Sequence, residues 1–219
     1  NVGISHSTIV PWKIDSAMRF ITIPRILRSF YPSLVWEMPR DEKKIFLTFD
    51  DGPHPIITPK IIDLLRRYDA KATFFCIGRN VEANKDIFNM ILKEGHSVGN
   101  HTYNHDRGWR TATKDYIESV ERANEHINSN LFRPPHGRIK YSQIRALQQK
   151  YKIITWTVIS YDWDKSITSD DCFNNIIRNA DSGSIIVFHD SEKAINNMLP
   201  ALEKVLKYYK SKGFTFERI

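Results

Sequence analysis

From residue 43 onward, apolar and polar positions switch repeatedly between two periods. Ile45-Phe-Leu-Thr-Phe49 is a short, nearly continuous apolar run that ends in the turn residues Asp51-Gly52-Pro53, which predicts a buried strand. Ile61, Ile62, Leu64, Leu65 and Tyr68 then recur at helical spacing. Residues 73–77 read as the next strand, stopped by Gly78. Residues 81–93 read as one helix whose buried stripe is Ile87, Phe88, Ile91 and Leu92, with Gly95 after its end. Residues 97–100 predict a short strand, about 112–128 a helix, 131–133 a strand and about 141–150 another helix. The run 153–159 reads as one strand, about 170–180 as a helix and 184–189 as a strand. A last helix over about 197–211 is opened by Asn196 or Asn197, with Pro200 in its first turn, and residues 214–218 form a closing strand.

Strands alternating with helices imply parallel strands joined by crossover helices. Six to seven such units in about 175 residues suit a small or incomplete α/β barrel better than an eightfold one, which takes about 250. An open doubly wound sheet is the alternative. No linker or repeat divides residues 43–219, which read as one domain behind an N-terminal extension, residues 1–42. Within it, Arg19, Arg25 and Arg28 alternate with Phe20, Ile21, Ile23, Ile26, Leu27, Phe30 and Tyr31. Such a segment can lie on a membrane surface, but packing of its apolar side on the domain is the simpler expectation, and Pro24 and Pro32 argue against one long helix. The chain begins at Asn1, which fits processing, truncation or a foreign leader over residues 1–17 ahead of Met18.

Composition adds mostly exclusions. At 219 residues with 41% hydrophobic and 26% charged positions, the chain is neither disordered nor collagen-like. No apolar run approaches the roughly 18 residues of a membrane span. Two cysteines, Cys76 and Cys172, rule out a disulfide framework and a cysteine-rich zinc site. The net charge of +7 leans weakly toward an anionic partner.

The polar residues carry more. Nearly every Asp or His cluster follows directly on a predicted strand, and in a parallel barrel the strand C-termini share the rim where active sites form. Asp50 and Asp51 follow the first strand; Gly52 offers backbone angles that would let both carboxylates face one site. His101 and His105, four apart, lie close enough to share an ion, although about 0.3 such pairs arise by chance among 8 histidines. With Asp51 they would form a three-ligand site open to water. Arg133 opens the rigid Arg133-Pro-Pro-His-Gly137 loop and can hold a carboxylate. His189, at the end of an apolar strand, becomes a general acid if Asp162 orients it. Trp163, Trp109 and Tyr103 near this mouth can stack on sugar faces.

These residues resemble the polysaccharide deacetylases with the NodB homology domain, carbohydrate esterase family 4. Five motifs occur in the family's order: Thr48-Phe-Asp-Asp-Gly-Pro53, His101-Thr-Tyr-Asn-His105, Arg133-Pro-Pro-His-Gly137, Asp162-Trp163 and Val187-Phe-His189. The resemblance covers about residues 43–219 and implies a distorted (β/α)7 barrel. It also implies a divalent metal (zinc first, then cobalt, nickel or manganese) and hydrolysis of N-acetyl or O-acetyl groups on glycans, with release of acetate. It makes Asp51, His101 and His105 the metal ligands and Asp50 the catalytic base held by Arg133. His189 becomes the general acid tuned by Asp162, and the His136 backbone N–H the oxyanion donor. Two positions depart from the family: His136 replaces a common tyrosine and faces the substrate groove, and Ile159 stands where an aspartate often precedes Asp162. The second touches the tuning of His189, not the metal site.

The expected substrate is an acetylated glycan, with N-acetylglucosamine units of chitin-type oligomers or peptidoglycan foremost. A glycan-binding barrel without turnover is the alternative. A nucleic-acid partner would need clustered basic residues, and here they are scattered. With no signal peptide in the sequence, an exported enzyme that has lost its leader and a cytoplasmic one acting on a precursor both fit.

Overall fold

The computed structural model describes residues 21–219. The alternation becomes one sheet of nine strands: β1 (Leu34–Val35), β2 (Lys44–Asp50), β3 (Ala72–Cys76), β4 (Ser97–Asn100), β5 (Leu131–Phe132), β6 (Lys152–Ile154), β7 (Val158–Ile159), β8 (Ile185–His189) and β9 (Thr215–Phe216). Their spatial order is β1-β6-β5-β4-β3-β2-β8-β7, with β9 beside the start of β2, and every pairing is parallel. The sheet curls into the expected distorted, incomplete α/β barrel. Helices α1 (Arg25–Arg28), α2 (Ile57–Arg67), α3 (Gly78–Ala83), α4 (Lys85–Lys93), α5 (Thr113–Ile127), α6 (Tyr141–Leu147), α7 (Ser169–Ile177) and α8 (Ile195–Ser211) make up the rest. None of the described helices is long and apolar enough to cross a membrane.

The two-residue period of β2 divides the core. Ile45, Leu47 and Phe49 pack outward with Ile61, Leu65, Phe74, Phe188 and Leu202 in the larger core cluster, whereas Phe46 joins Phe75, Leu131, Ile154 and Ile185 in another. Thr48 and Asp50 share the face of Phe46. This places the first acidic side chain inside the barrel mouth.

Several boundaries differ from the sequence pattern. The predicted helix over 81–93 is two helices, because Asn84 is non-helical (φ −132°, ψ 52°) and its side chain donates to the carbonyls of Asn80 and Pro53. The run 153–159 is split between β6, which pairs with β1 and β5, and β7, which pairs with β8. Between them the hydroxyls of Thr155 and Thr157 donate to the carbonyls of Val35 and Trp36 at 2.7 and 2.9 Å. Periodicity alone shows the apolar run and not its change of partner. The last helix begins at Ile195, which puts Pro200 beyond the first turn.

Part of the N-terminal extension joins the domain. β1 extends the sheet edge, and the Ile21 carbonyl accepts from Ile159 N–H at 3.0 Å. Ile26 and Phe30 are about 70% exposed, so the expected packing of the apolar side holds only in part. Met18, Arg19 and Phe20 lie outside the described residues.

Candidate active site

Strand register delivers the polar residues to one rim. Asp50 pairs with His189 across β2 and β8 and with Phe75 across β3; Cys76 pairs with Asn100, and Asn100 with Phe132. His101 and Arg133 therefore follow their strands on the same rim, two register positions beyond Asp50 and His189. The backbone is unusual just here: Asp51, Thr102, His105, His136 and Tyr161 all have positive φ, between 59° and 85°. L-residues avoid this region unless their surroundings impose it, and such residues concentrate at functional sites.

Asp50 is nearly buried and Arg133 is fully buried. Arg133 Nη1 donates to Asp50 Oδ1 and to Thr48 Oγ1, both at 2.7 Å, and Nη2 donates to the Thr155 carbonyl at 2.8 Å. The guanidinium lies over the Phe75 ring, 4.1 Å from its centre. Burial lowers the guanidinium's pKa and Asp50 opposes that fall; an arginine stays charged regardless. Nη1 thus fixes Oδ1 and leaves Oδ2 of Asp50 outside the ion pair.

Beside this pair, Asp51, His101 and His105 place one donor atom each within 4.8 Å of one another. Asp51 Oδ1 stands 3.8 Å from His101 Nε2 and 3.3 Å from His105 Nε2. It is buried without a hydrogen-bond partner. The Arg133 carbonyl, 2.8 Å from His101 Nδ1, takes the proton there and leaves Nε2 with a free lone pair. Burial first, then the adjoining His105, push the His101 pKa well down, which favours the neutral form that ligates metal. Two imidazole nitrogens and one orphaned carboxylate oxygen fit a divalent metal ion.

Asp51 turns toward the histidines by a route the sequence does not suggest. The positive φ belongs to Asp51 itself, 85°, and not to Gly52. Gly52 is required for space, since a Cβ there would sit 2.2 Å from Asp190 Oδ2. Asn80 Nδ2 donates to the Asp51 carbonyl at 2.7 Å, and Thr58 Oγ1 donates to Asp190. Burial raises the Asp190 pKa to about 7. Asn80, Thr58 and the packing role of Asp190 escaped the sequence reading, because they act on the backbone of the Asp51 turn from elements outside its motif.

On the other side of Asp50, the Asp162 carboxylate receives two donors from His189. The ring Nδ1 is 2.8 Å from Oδ1, and the backbone N–H is 2.7 Å from Oδ2. Asp162 is fully buried. Burial alone would depress the His189 pKa, but Asp162 outweighs it, and with Asp51 and Asp50 raises the value to about 9. Trp163 stands edge-on to the imidazole with ring centres 4.4 Å apart, so this predicted substrate residue does reach the site. Ile159 is buried, and Asp162 is the carboxylate that holds His189.

His136 also reaches the site, its ring 4.6 Å from that of His105. Desolvation, His105, Arg107 and Arg138 lower its pKa to about 4. The turn it occupies is closed by Gly137 N–H to Pro134 and Arg138 N–H to Pro135, bonds that do not use the His136 N–H. Tyr103 does not take the place expected of it. It is buried, with its hydroxyl donating to Glu82 and the Arg122 guanidinium 3.6 Å from its ring centre, and so has no free face for a sugar. Its position in the His101–His105 motif gave no hint that the loop turns it toward α3 and α5. Trp109 is 46% exposed on the rim and donates through Nε1 to the Ile139 carbonyl.

Residues 37–153 match the family model described as polysaccharide deacetylase. A peptidoglycan-N-acetylglucosamine deacetylase of Bacillus cereus is 35% identical over 84% of this chain and 89% of its own length. A chitooligosaccharide deacetylase of Azorhizobium caulinodans is 32% identical over 81% of this chain and 93% of its own. The crystal structure of the Bc1960 peptidoglycan N-acetylglucosamine deacetylase superposes with a TM-score of 0.83 at 32% identity, covering 90% of this chain and 95% of that one. The five motifs, their convergence on one rim and these similarities together lead to one conclusion: the chain belongs to the polysaccharide deacetylase family, carbohydrate esterase family 4.

Proposed function

We propose that this protein is a metal-dependent deacetylase that removes N-acetyl groups from N-acetylglucosamine units of a glycan, peptidoglycan or a chitin-type oligomer, and releases acetate. One observation carries the reading. Asp50, held by Arg133, and His189, held by Asp162, are paired neighbours on adjacent strands beside a donor set suited to a divalent ion. The mixed nitrogen and oxygen donors of Asp51, His101 and His105 favour zinc, which would polarise the acetyl carbonyl and acidify a bound water.

The chain's own groups do the rest. Asp50 Oδ2 accepts the proton of the attacking water, while Arg133 fixes the carboxylate's direction through Oδ1. The His136 N–H donates to the oxygen that gains negative charge as the carbonyl is attacked. His189, charged at neutral pH through Asp162, gives its Nε2 proton to the departing nitrogen, without which an amine is a poor leaving group. Trp163 covers one edge of that imidazole and limits access of water to it.

Two substitutions separate base from ligand. Asp50→Asn is expected to retain zinc, measured by calorimetry, and to lose at least about 100-fold in kcat, the lower range for a general base. His101→Ala is expected to lose zinc affinity itself. Near-normal turnover by Asp50→Asn would refute the assignment of the base.

A further inference from the structure

The loop after β4 and the loop after β5 meet beside the site. His105 lies on the first, His136 on the second, and their rings are in contact. Two residues beyond each histidine stands an arginine, Arg107 and Arg138, both exposed. The loops are joined backbone to backbone: a Cβ on Gly108 would lie 2.3 Å from the Arg138 carbonyl oxygen. The fully buried Gln143 fastens them together, donating from Nε2 to the Gly108 carbonyl at 3.0 Å and accepting from Lys140 N–H at 2.9 Å. Trp109 adds a bond to the Ile139 carbonyl, and Arg138 lies over its ring, 5.4 Å from the centre.

This scaffold holds a set of cations without matching anions. Among the described residues, Arg107, Arg110, Arg138 and Lys140 form no ion pair. Lys140 Nζ donates to the Thr111 carbonyl. The carboxylate adjoining them in sequence, Asp106, is engaged by Ser119 Oγ and Asn104 N–H. Like charges gathered on a rigid rim repel one another, and they draw in anions at the mouth they border. Guanidinium groups also match the planar geometry of a carboxylate.

We infer that Arg107 and Arg138 form an anion subsite on the rim of the catalytic cleft, which binds a carboxylate carried by the sugar next to the one being deacetylated. This rests on the glycan deacetylase reading and narrows it to an anionic glycan with acidic substituents on alternate sugars, as in peptidoglycan. A neutral chitin-type oligomer leaves the subsite unused. The exposed Trp109 ring beside Arg138 supplies an apolar surface for the same sugar.

The test is binding, which does not depend on turnover. Calorimetry on the zinc-loaded protein compares peptidoglycan glycan strands with the same strands after their carboxylates have been converted to neutral amides. The expected preference for the charged strands is about tenfold, from two charge-assisted contacts, and shrinks as salt is raised. In the double variant Arg107→Gln/Arg138→Gln the preference disappears, and in Arg107→Lys/Arg138→Lys most of it remains. Equal affinity of the unsubstituted protein for both strands, or an unchanged preference in the glutamine variant, overturns the subsite. Strong preference without acetate release would keep the subsite and refute the deacetylase reading. Acetate release without preference would do the reverse.

Discussion

Replacing Asp162 by asparagine tests the proton-donor arm of the mechanism at one atom. Both carboxylate oxygens are occupied by donors from His189, the ring Nδ1 at 2.8 Å and the backbone N–H at 2.7 Å. An amide of the same shape has one acceptor and can serve only one of them. The backbone N–H is always a donor and takes the amide oxygen, so the amide nitrogen faces Nδ1 and forces the ring to accept. The ring is then neutral. Its pKa now stands at about 9 against a usual 6.5, so the field that holds it up exceeds the opposing effect of burial by about 3 kcal/mol at ~1.4 kcal/mol per unit. Zinc held by Asp51 would cancel part of that residue's contribution, so the alkaline limb of kcat in the loaded enzyme is expected below 9. Without Asp162, burial dominates and the limb falls below 6.5. Even at 6.5 only about a quarter of the enzyme would carry the proton at pH 7, and the inverted ring raises the loss in kcat to about 100-fold. The assay is the pH dependence of kcat on an N-acetylated oligomer, with nitrogen-15 NMR of the His189 ring as a second readout. Zinc affinity should stay unchanged. A variant with the same alkaline limb and kcat within threefold of the parent would refute this reasoning.

Two further outcomes follow from the packing around Asp50 and Asp51. Gly52→Ala drives a methyl group to within 2.2 Å of Asp190 Oδ2 and 2.9 Å of its Cγ, so urea unfolding should show a loss of about 1–3 kcal/mol, typical of overpacking. Calorimetry should also show weaker zinc binding, as the Asp51 turn shifts. Arg133→Met leaves the buried Asp50 carboxylate without its counter-charge, a change that costs about 3–5 kcal/mol in comparable buried pairs. The same urea assay should return part of that loss in Arg133→Met/Asp50→Asn, where the orphaned charge is gone.

Much of the site was legible because it follows from period and position. The alternation of β2 puts Thr48 and Asp50 on one face, and parallel strands align His101, Arg133 and His189 at one rim. What stayed hidden depends on contacts between distant segments. Nothing in residues 153–159 says that half the run pairs with β1 and half with β8. Tyr103 sits between His101 and His105 in sequence, yet Arg122 and Glu82 take it out of the cleft. Gly52 was expected for its backbone freedom and is needed because Asp190 fills the space where a side chain would stand. Asn80 and Thr58 bear on the Asp51 turn from α3 and α2.

The most direct test of the central claim is acetate release from N-acetylglucosamine oligomers and from peptidoglycan, with metal-stripped protein compared against protein reloaded with zinc. The account predicts release that is absent after stripping, returns with one zinc ion per chain, and is lost again in Asp50→Asn although zinc remains bound. Release that persists in the stripped protein, or tight zinc binding with no acetate from either glycan, would contradict it.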